Sequence, residues 1–223
     1  MEIIKSIIDF ILHIDGHLET LVAQYGTLLI PILFAIVFCE TGLVVTPFLP
    51  GDSLLFAAGA LAAIDKTGAL NIVVLWVVLM IAAVLGDSVN YAIGKRLGKG
   101  IFKPGNKILK PEYLARTEAF YAKHGSRTII LARFVPIVRT FAPFVAGVGT
   151  MEYKRFITYN VVGGVVWVTL FLFGGYLIGN IPFIKDNFKY VTILIIAVSV
   201  LPIGIEFIKE RRSQSAHMTA TGM

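Results

Sequence analysis

The chain has 223 residues, of which 57% are hydrophobic and 15% charged, with a mean hydropathy of +0.80. That balance excludes an ordinary soluble domain, which is about half apolar and about a quarter charged. The formal charge of +6 does not argue for nucleic acid, because the basic residues cluster between and beside apolar segments, where they act as a topology signal. The length suits one domain. A single cysteine, Cys39, cannot close an intramolecular disulfide. Within its apolar run it reads as a buried, inert thiol rather than a reactive one.

In chain order, residues 1–20 show no cleavable signal peptide. Lys5, Asp9, His13, Asp15, His17 and Glu19 interrupt them, while Ile3, Ile4, Ile7, Ile8, Ile11 and Leu12 fall at helical spacing. They read as a short amphipathic helix lying at an interface. Residues 28–64 are apolar but broken. Leu28–Cys39 is followed by Glu40-Thr41-Gly42, Pro47 and Pro50-Gly51-Asp52 before Ser53–Ile64 resumes. Residues 71–91 are long and apolar enough for a membrane span, which takes about 20 residues. Residues 92–127 form a basic connector containing an amphipathic stretch, Pro111–His124, expected to rest on the cytoplasmic surface. Residues 128–150 are the second broken stretch, with Ala132-Arg133, Pro136, Arg139 and Pro143 inside it. Residues 156–178 and 188–207 are two further spans. Residues 213–223 form a polar tail that reads as disordered.

Lipid cannot satisfy free backbone groups, so a stretch broken by charge and proline cannot simply face hydrocarbon. Each broken stretch is therefore read as a re-entrant hairpin of two short helices enclosed by the spans. A kinked spanning helix is the alternative. Pro50-Gly51 is a strong turn signal. The halves also resemble each other: Phe56-Ala57-Ala58-Gly59-Ala60 returns as Phe144-Val145-Ala146-Gly147-Val148, and Tyr91-Ala92-Ile93-Gly94 as Tyr176-Leu177-Ile178-Gly179, at offsets of 88 and 85 residues. One hairpin plus one span crosses the membrane once, so its second copy must be inverted. The expected fold is an all-α integral membrane protein, an inverted repeat of re-entrant helical hairpin plus transmembrane helix, with amphipathic interfacial helices. The basic residues of the connector, with Lys154, Arg155, Lys209, Arg211 and Arg212, mark one side as cytoplasmic. The side of the N-terminus stays open.

Glu40, Asp52, Arg133 and Arg139 are flanked by apolar sequence. Charge at membrane depth costs a few kcal/mol and is usually functional or paired. Arginine presents a fork that matches phosphate oxygens. A carboxyl in low dielectric can take up and release protons near neutral pH. Together these suit a proton-linked carrier of a phosphate-bearing molecule, with Glu40 and Asp52 handling protons and Arg133 and Arg139 the phosphate. The simpler reading is mutual neutralisation, holding two hairpins tip to tip. Ser53, Asp87 and Asn90 are further candidates for a cavity lining, although interfacial capping also accounts for the last two. Trp76 and Trp167 read as lipid-facing or packing aromatics. Gly163, Gly164, Gly174 and Gly175 read as close helix contacts. His124 reads as interfacial. No metal-site spacing appears, and no cofactor is implied.

The runs Phe38-Cys39-Glu40-Thr41-Gly42, Pro47-Phe48-Leu49-Pro50-Gly51-Asp52-Ser53-Leu54-Leu55 and Gly86-Asp87-Ser88-Val89-Asn90-Tyr91 resemble the DedA family of bacterial inner-membrane proteins. So does Arg133-Phe134-Val135-Pro136-Ile137-Val138-Arg139-Thr140-Phe141-Ala142-Pro143, followed by Ala146-Gly147. The resemblance covers about residues 1–210, and the family shares its domain with eukaryotic lipid scramblases of the endoplasmic reticulum. It implies two opposed re-entrant hairpins, a multi-pass protein of the inner membrane, and a role in moving lipids. Undecaprenyl phosphate, the carrier lipid for cell-wall precursors, is the leading substrate, phosphatidylethanolamine the alternative, and dependence on the proton gradient is implied as well. The family's essential acids fall on Glu40 and Asp52, and its essential arginines on Arg133 and Arg139. The expected partners are membrane lipids and protons; the sequence leaves open a homo-oligomer. The chain is expected not to be an enzyme. Two rivals are an intramembrane lipid phosphatase, for which Ser53 beside Asp52 is the one tempting nucleophile, and a structural partner of other membrane proteins.

Overall fold

A computed structural model describes residues 14–43, 51–98, 111–149 and 151–182. All regular structure among them is helical. The elements are α1 (Ile14–Gly42), α2 (Gly51–Ile64), α3 (Ile72–Leu97), α4 (Pro111–His124), a 3-10 turn (Gly125–Arg127), α5 (Thr128–Ala132), α6 (Pro136–Val148), α7 (Tyr153–Val168), a π segment (Thr169–Phe173) and α8 (Gly174–Gly179). The last three run on as one helical rod. The predicted span 188–207, the tail 213–223 and residues 1–13 of the amphipathic segment lie outside the described residues.

Two helices are long and apolar enough to cross a membrane, Ile72–Leu97 and Tyr153–Gly179. On α3 the exposed residues Val73, Val77, Ile81, Leu85 and Val89 recur every fourth position. They form an apolar stripe about 24 Å long at 1.5 Å per residue, which suits hydrocarbon rather than water. The opposite face, Leu75, Leu79, Ala82 and Ala83, is buried against Val37, Leu55, Trp167 and Leu172. Asn71 starts the helix: its side-chain oxygen accepts from the amides of Val73 and Val74 at 2.9 and 3.2 Å, satisfying two donors that no helical carbonyl can reach.

The two broken stretches differ from expectation in detail. Residues 14–20 are not a separate helix but the start of α1, because Leu21–Thr27 contains good helix formers and one tolerated glycine. In the second stretch the break is confined to Arg133–Val135. Pro136 does not interrupt a helix but begins one, at the first-turn position where its missing N–H costs nothing. Pro143 lies inside α6 rather than in a break.

Packing joins the halves crosswise. The first arm of each stretch lies on the long helix that follows it, α1 on α3 and α5 on α7. The second arm lies on the other long helix, α2 on the π segment and α8, and α6 on α3. Glycines allow these second contacts. Gly94 meets the Phe144 carbonyl and Gly147 the Tyr91 carbonyl; Gly175 meets the Phe56 carbonyl and Gly59 the Leu172 carbonyl. A Cβ at any of the four would collide with backbone. Phe144–Gly147 is thus seated on Tyr91–Gly94, whereas Phe56–Gly59 is seated on Leu172–Gly175 and Ala60 on Gly179. Gly174 instead faces open space, contrary to its expected role as a contact.

The stretch Pro111–His124 is the helix α4, and its apolar face docks on protein. Tyr113 packs on Phe141 in a tilted pair with ring centroids 5.3 Å apart, and the Tyr121 hydroxyl donates to the Ala142 carbonyl at 2.8 Å. Gly125, at φ 57°, makes the left-handed turn that lets the chain double back into α5.

Candidate functional site: two ionic compartments

Two neighbouring ionic compartments, one partly open and one buried, lie where the broken stretches meet the rods. The first is built around Arg139, in the opening turns of α6, whose start is fixed by extended Val135 and by Pro136. Its guanidinium crosses to the ends of α1 and α2. It donates through Nη1 to Asp52 Oδ1 at 2.8 Å and through Nη2 to Glu40 Oε1. Glu40 lies at the C-terminal end of α1, where the helix dipole disfavours a negative charge. It is stabilised instead by Arg139 and by the Gly51 amide, which donates to the same Oε1 at 3.2 Å. The other oxygen, Oε2, is buried and has no hydrogen-bond partner among the described residues. Gly51 can be nothing larger, since a Cβ there would run into the Glu40 carboxyl. Asp52 occupies the first turn of α2, where the dipole favours it. Side-chain exposure rises across the group, from 2% for Glu40 to 12% for Arg139 and 41% for Asp52.

The second compartment is built around Arg133, at the end of α5. Its Nη2 donates to Asp87 Oδ2 at 2.5 Å and to Asn160 Oδ1 at 2.7 Å. Asn160 in turn donates to the Val84 carbonyl at 3.0 Å. Both charged side chains are 5% exposed. Gly163 and Gly164 leave the space that the guanidinium fills, so these predicted contact glycines accommodate a side chain as well as a helix. Asn90 links elements beside it: its Nδ2 donates to the carbonyls of Thr41 and Thr140 at 3.0 and 2.9 Å, joining α1 and α6 through α3.

Trp167 separates the two. It is 1% exposed, its Nε1 donates to Asp52 Oδ1 at 2.7 Å, and its ring faces both cations, with Arg139 Cζ at 4.9 Å and Arg133 Cζ at 5.6 Å from the centroid. The expectation of a lipid-facing or merely packing aromatic is therefore corrected. Trp76 donates to Thr169 Oγ1 at 2.8 Å, at the start of the π segment. Irregular turns of this kind recur near functional sites.

The structure brings Glu40, Asp52 and Arg139 together and places Arg133 with Asp87 next to them. The acids of the first stretch are not shared out between the two arginines; Arg139 takes both, and Arg133 finds its partner on α3. Asp87 is an interior ion-pair member, not an interfacial cap. Ser53 is half-buried on α2, and among the described residues no hydrogen bond joins it to the cluster. Cys39 is exposed on α1, not buried, since the face of α1 that packs on α3 carries Glu40, Thr41 and Val37 instead. His124 contacts the Phe120 carbonyl and ring within its own helix. Among the described residues no group of three or more His, Cys, Asp and Glu could hold a metal ion. Sequence reasoning missed Trp167 and Asn160; a polar Asn inside an otherwise apolar span was the available signal for the second.

A forked cation shared by two carboxylates, one of them open to the outside, can exchange one oxyanion for another. An open groove of about 470 Å³, lined by residues including Tyr121, Ser126, Met151, Glu152 and Arg155, lies at the far end of α6.

Residues 49–177 match the VTT domain. Protein DedA of Escherichia coli (strain K12) is 57% identical over 214 residues, covering 96% of this chain and 97% of that protein. The inner membrane protein YghB of Escherichia coli (strain K12) is 32% identical over 214 residues, covering 92% of this chain and 93% of its own length. An uncharacterized membrane protein of Mycobacterium leprae, ML0287, is 41% identical over 192 residues, covering 86% and 85%. No solved structure matches significantly. With its all-helical architecture, its two apolar rods and these relatives, the chain belongs to the DedA family of VTT-domain membrane proteins.

Proposed function

We propose that the protein is a multi-pass, proton-dependent lipid flippase of the bacterial inner membrane, moving a lipid phosphate, with undecaprenyl phosphate as the leading substrate. The observation that carries this is Arg139. It is held by two carboxylates of the other broken stretch, and one of them, Asp52, is open to its surroundings. A phosphate headgroup competes for the same fork. Arg139 is the primary phosphate residue; Arg133, enclosed with Asp87 and Asn160, contributes positive potential from behind.

Proton exchange follows from the charge balance. Among the described residues the two compartments hold three acids, Glu40, Asp52 and Asp87, and two arginines. An unbalanced charge is costly at membrane depth, so one proton neutralises the excess acid. Glu40 is the acid that exchanges it in this reading: both of its donors fall on Oε1, and among the described residues buried Oε2 has none to hold a full negative charge. Proton uptake by Glu40 loosens its hold on Arg139 and frees the fork for substrate.

The crosswise packing supports an inverted repeat of re-entrant hairpin plus span. The Phe144–Gly147 helix meets the other rod at Tyr91 and Gly94, and the Phe56–Gly59 helix meets its rod at Leu172 and Gly175, one turn from the matching Tyr176–Gly179 motif, an approximate form of the relation that a two-fold axis in the membrane plane would give. We read the protein as a carrier and not an enzyme: among the described residues no hydrogen bond joins Ser53 to Asp52, Glu40 or a histidine that would activate it. Protein reconstituted in liposomes is expected to move labelled undecaprenyl phosphate between leaflets, and faster with an imposed proton gradient. Transport of phosphatidylethanolamine alone would transfer the assignment to the phospholipid alternative. Release of inorganic phosphate would indicate the lipid phosphatase. No transport by pure protein, with a stable complex on pull-down, would indicate a structural partner.

A further inference from the structure

Trp167 is a bulky residue at the charged centre that the proposed exchange does not use. Its placement is specific. The indole N–H and Arg139 Nη1 donate to the same oxygen, Asp52 Oδ1, at 2.7 and 2.8 Å. The ring face lies 4.9 Å from Arg139 Cζ, and the residue is fully buried. It therefore contacts both members of the ion pair that an incoming phosphate must separate.

We propose that Trp167 is a positioning residue that keeps Asp52 in place when a phosphate monoester takes Arg139. This rests on the reading of Arg139 as the phosphate site. A carboxylate that shares its oxygen with a second donor has less charge to offer the first, so the indole N–H weakens the grip of Asp52 on Arg139. When Arg139 turns to the phosphate, the N–H remains on Oδ1, and Asp52 is not left without a partner. The ring face holds the guanidinium near the same position throughout, since an arginine over an aromatic face gains attraction without using any of its N–H groups. The fork is free to serve the ligand.

Phenylalanine at this position keeps a ring and removes the N–H. The four proteins to compare are the wild type, Trp167→Phe, Asp52→Asn and the double variant, in nanodiscs. Farnesyl phosphate and inorganic phosphate are titrated in separate arms by calorimetry, which distinguishes a lipid headgroup from free phosphate as the ligand. W167F is expected to weaken binding about tenfold, the size of one hydrogen bond to a charged group. In the D52N background the same change is expected to have less than about a twofold effect, because no carboxylate remains to be steadied. Unchanged affinity in W167F overturns the proposal. An equal loss in both backgrounds also overturns it, since that is the signature of packing alone. Wild-type protein that binds neither probe would sink the phosphate-site reading instead.

A second measurement needs no ligand. In a Trp76→Phe background the Trp167 indole N–H gives a single nitrogen-edited NMR signal. Arg139→Ala is expected to leave that signal hydrogen-bonded and slow to exchange, whereas D52N shifts it. Loss of the bonded signal in R139A would mean that Asp52 does not stay with the indole, and would overturn the proposal regardless of what binds.

Discussion

Two arginines six residues apart in one short segment meet opposite fates. Arg133 is 5% exposed and bound to an aspartate and an asparagine from the two long rods. Arg139 is 12% exposed and bound to two acids at facing helix ends, Glu40 at the end of α1 and Asp52 at the start of α2, the second of which is 41% exposed. The difference teaches which charge can exchange partners. A pair enclosed by rods that also form the hydrophobic core has no room to rearrange, and separating it would leave charge in a dry interior. A pair at helix ends can open as those ends shift, and a partner facing outward can be rehydrated as it leaves. The Arg133 compartment is the fixed element of the site and the Arg139 compartment the exchangeable one.

The largest effect is expected from breaking the fixed side. Asp87→Asn leaves Arg133 charged and without its acid, and is expected to cost about 3–5 kcal/mol of stability, read as a loss of folded protein on heating in detergent. Asp87→Asn combined with Arg133→Gln removes both charges and should recover much of that loss; no recovery would mean the pair is not the fixed element. On the exchangeable side, Arg139→Ala is expected to cost about 3 kcal/mol of phosphate binding, or roughly a hundredfold in transport, with less loss of folded protein than Asp87→Asn. Equal transport by R139A would sink the exchange reading. Glu40→Gln keeps the shape of the side chain but cannot exchange a proton. Its transport is expected to be independent of pH between about 5 and 8, where the wild type varies; an unchanged profile would transfer proton handling elsewhere. Outside both compartments, Asn71→Ala removes the cap of α3 and is expected to lower stability by about 1 kcal/mol with transport per folded molecule unchanged. A transport defect there would show that the rod, and not only the ionic centre, sets the rate.

Much of this site was legible in the sequence because charge inside apolar runs is rare and therefore visible. Glu40, Asp52, Arg133 and Arg139 stood out on that ground, and three of them meet. The partnership between Arg133 and Asp87 was not legible, since 46 residues separate the two and Asp87 near the end of an apolar run has an ordinary explanation as an interfacial residue. Trp167 was hidden for a different reason: an indole in an apolar helix looks the same whether it faces lipid or a guanidinium. The bounds of α6 were not legible, because proline reads as a breaker at both Pro136 and Pro143, although one stands where the helix starts and the other is accommodated within it. The two short sequence matches were legible, and their glycines lie at the seams where helices cross. Only residues without a Cβ allow backbone to approach backbone at those crossings.

Those crossings also bear on how the chain is made. The partner of Phe56 is Gly175, which leaves the ribosome about 120 residues later; at roughly 5–20 residues per second the delay is on the order of 10 s. For that time α2, carrying Asp52, is in or near the bilayer without the rod that finally covers it. A chain truncated before the π segment would hold both hydrogen-bond partners of Asp52, Arg139 and Trp167, yet leave the Phe56 and Gly59 seam of α2 uncovered. Completing the second rod is thus what closes the first half, and an unfinished chain differs from a finished one by an uncovered apolar seam on α2 rather than by an unpaired charge.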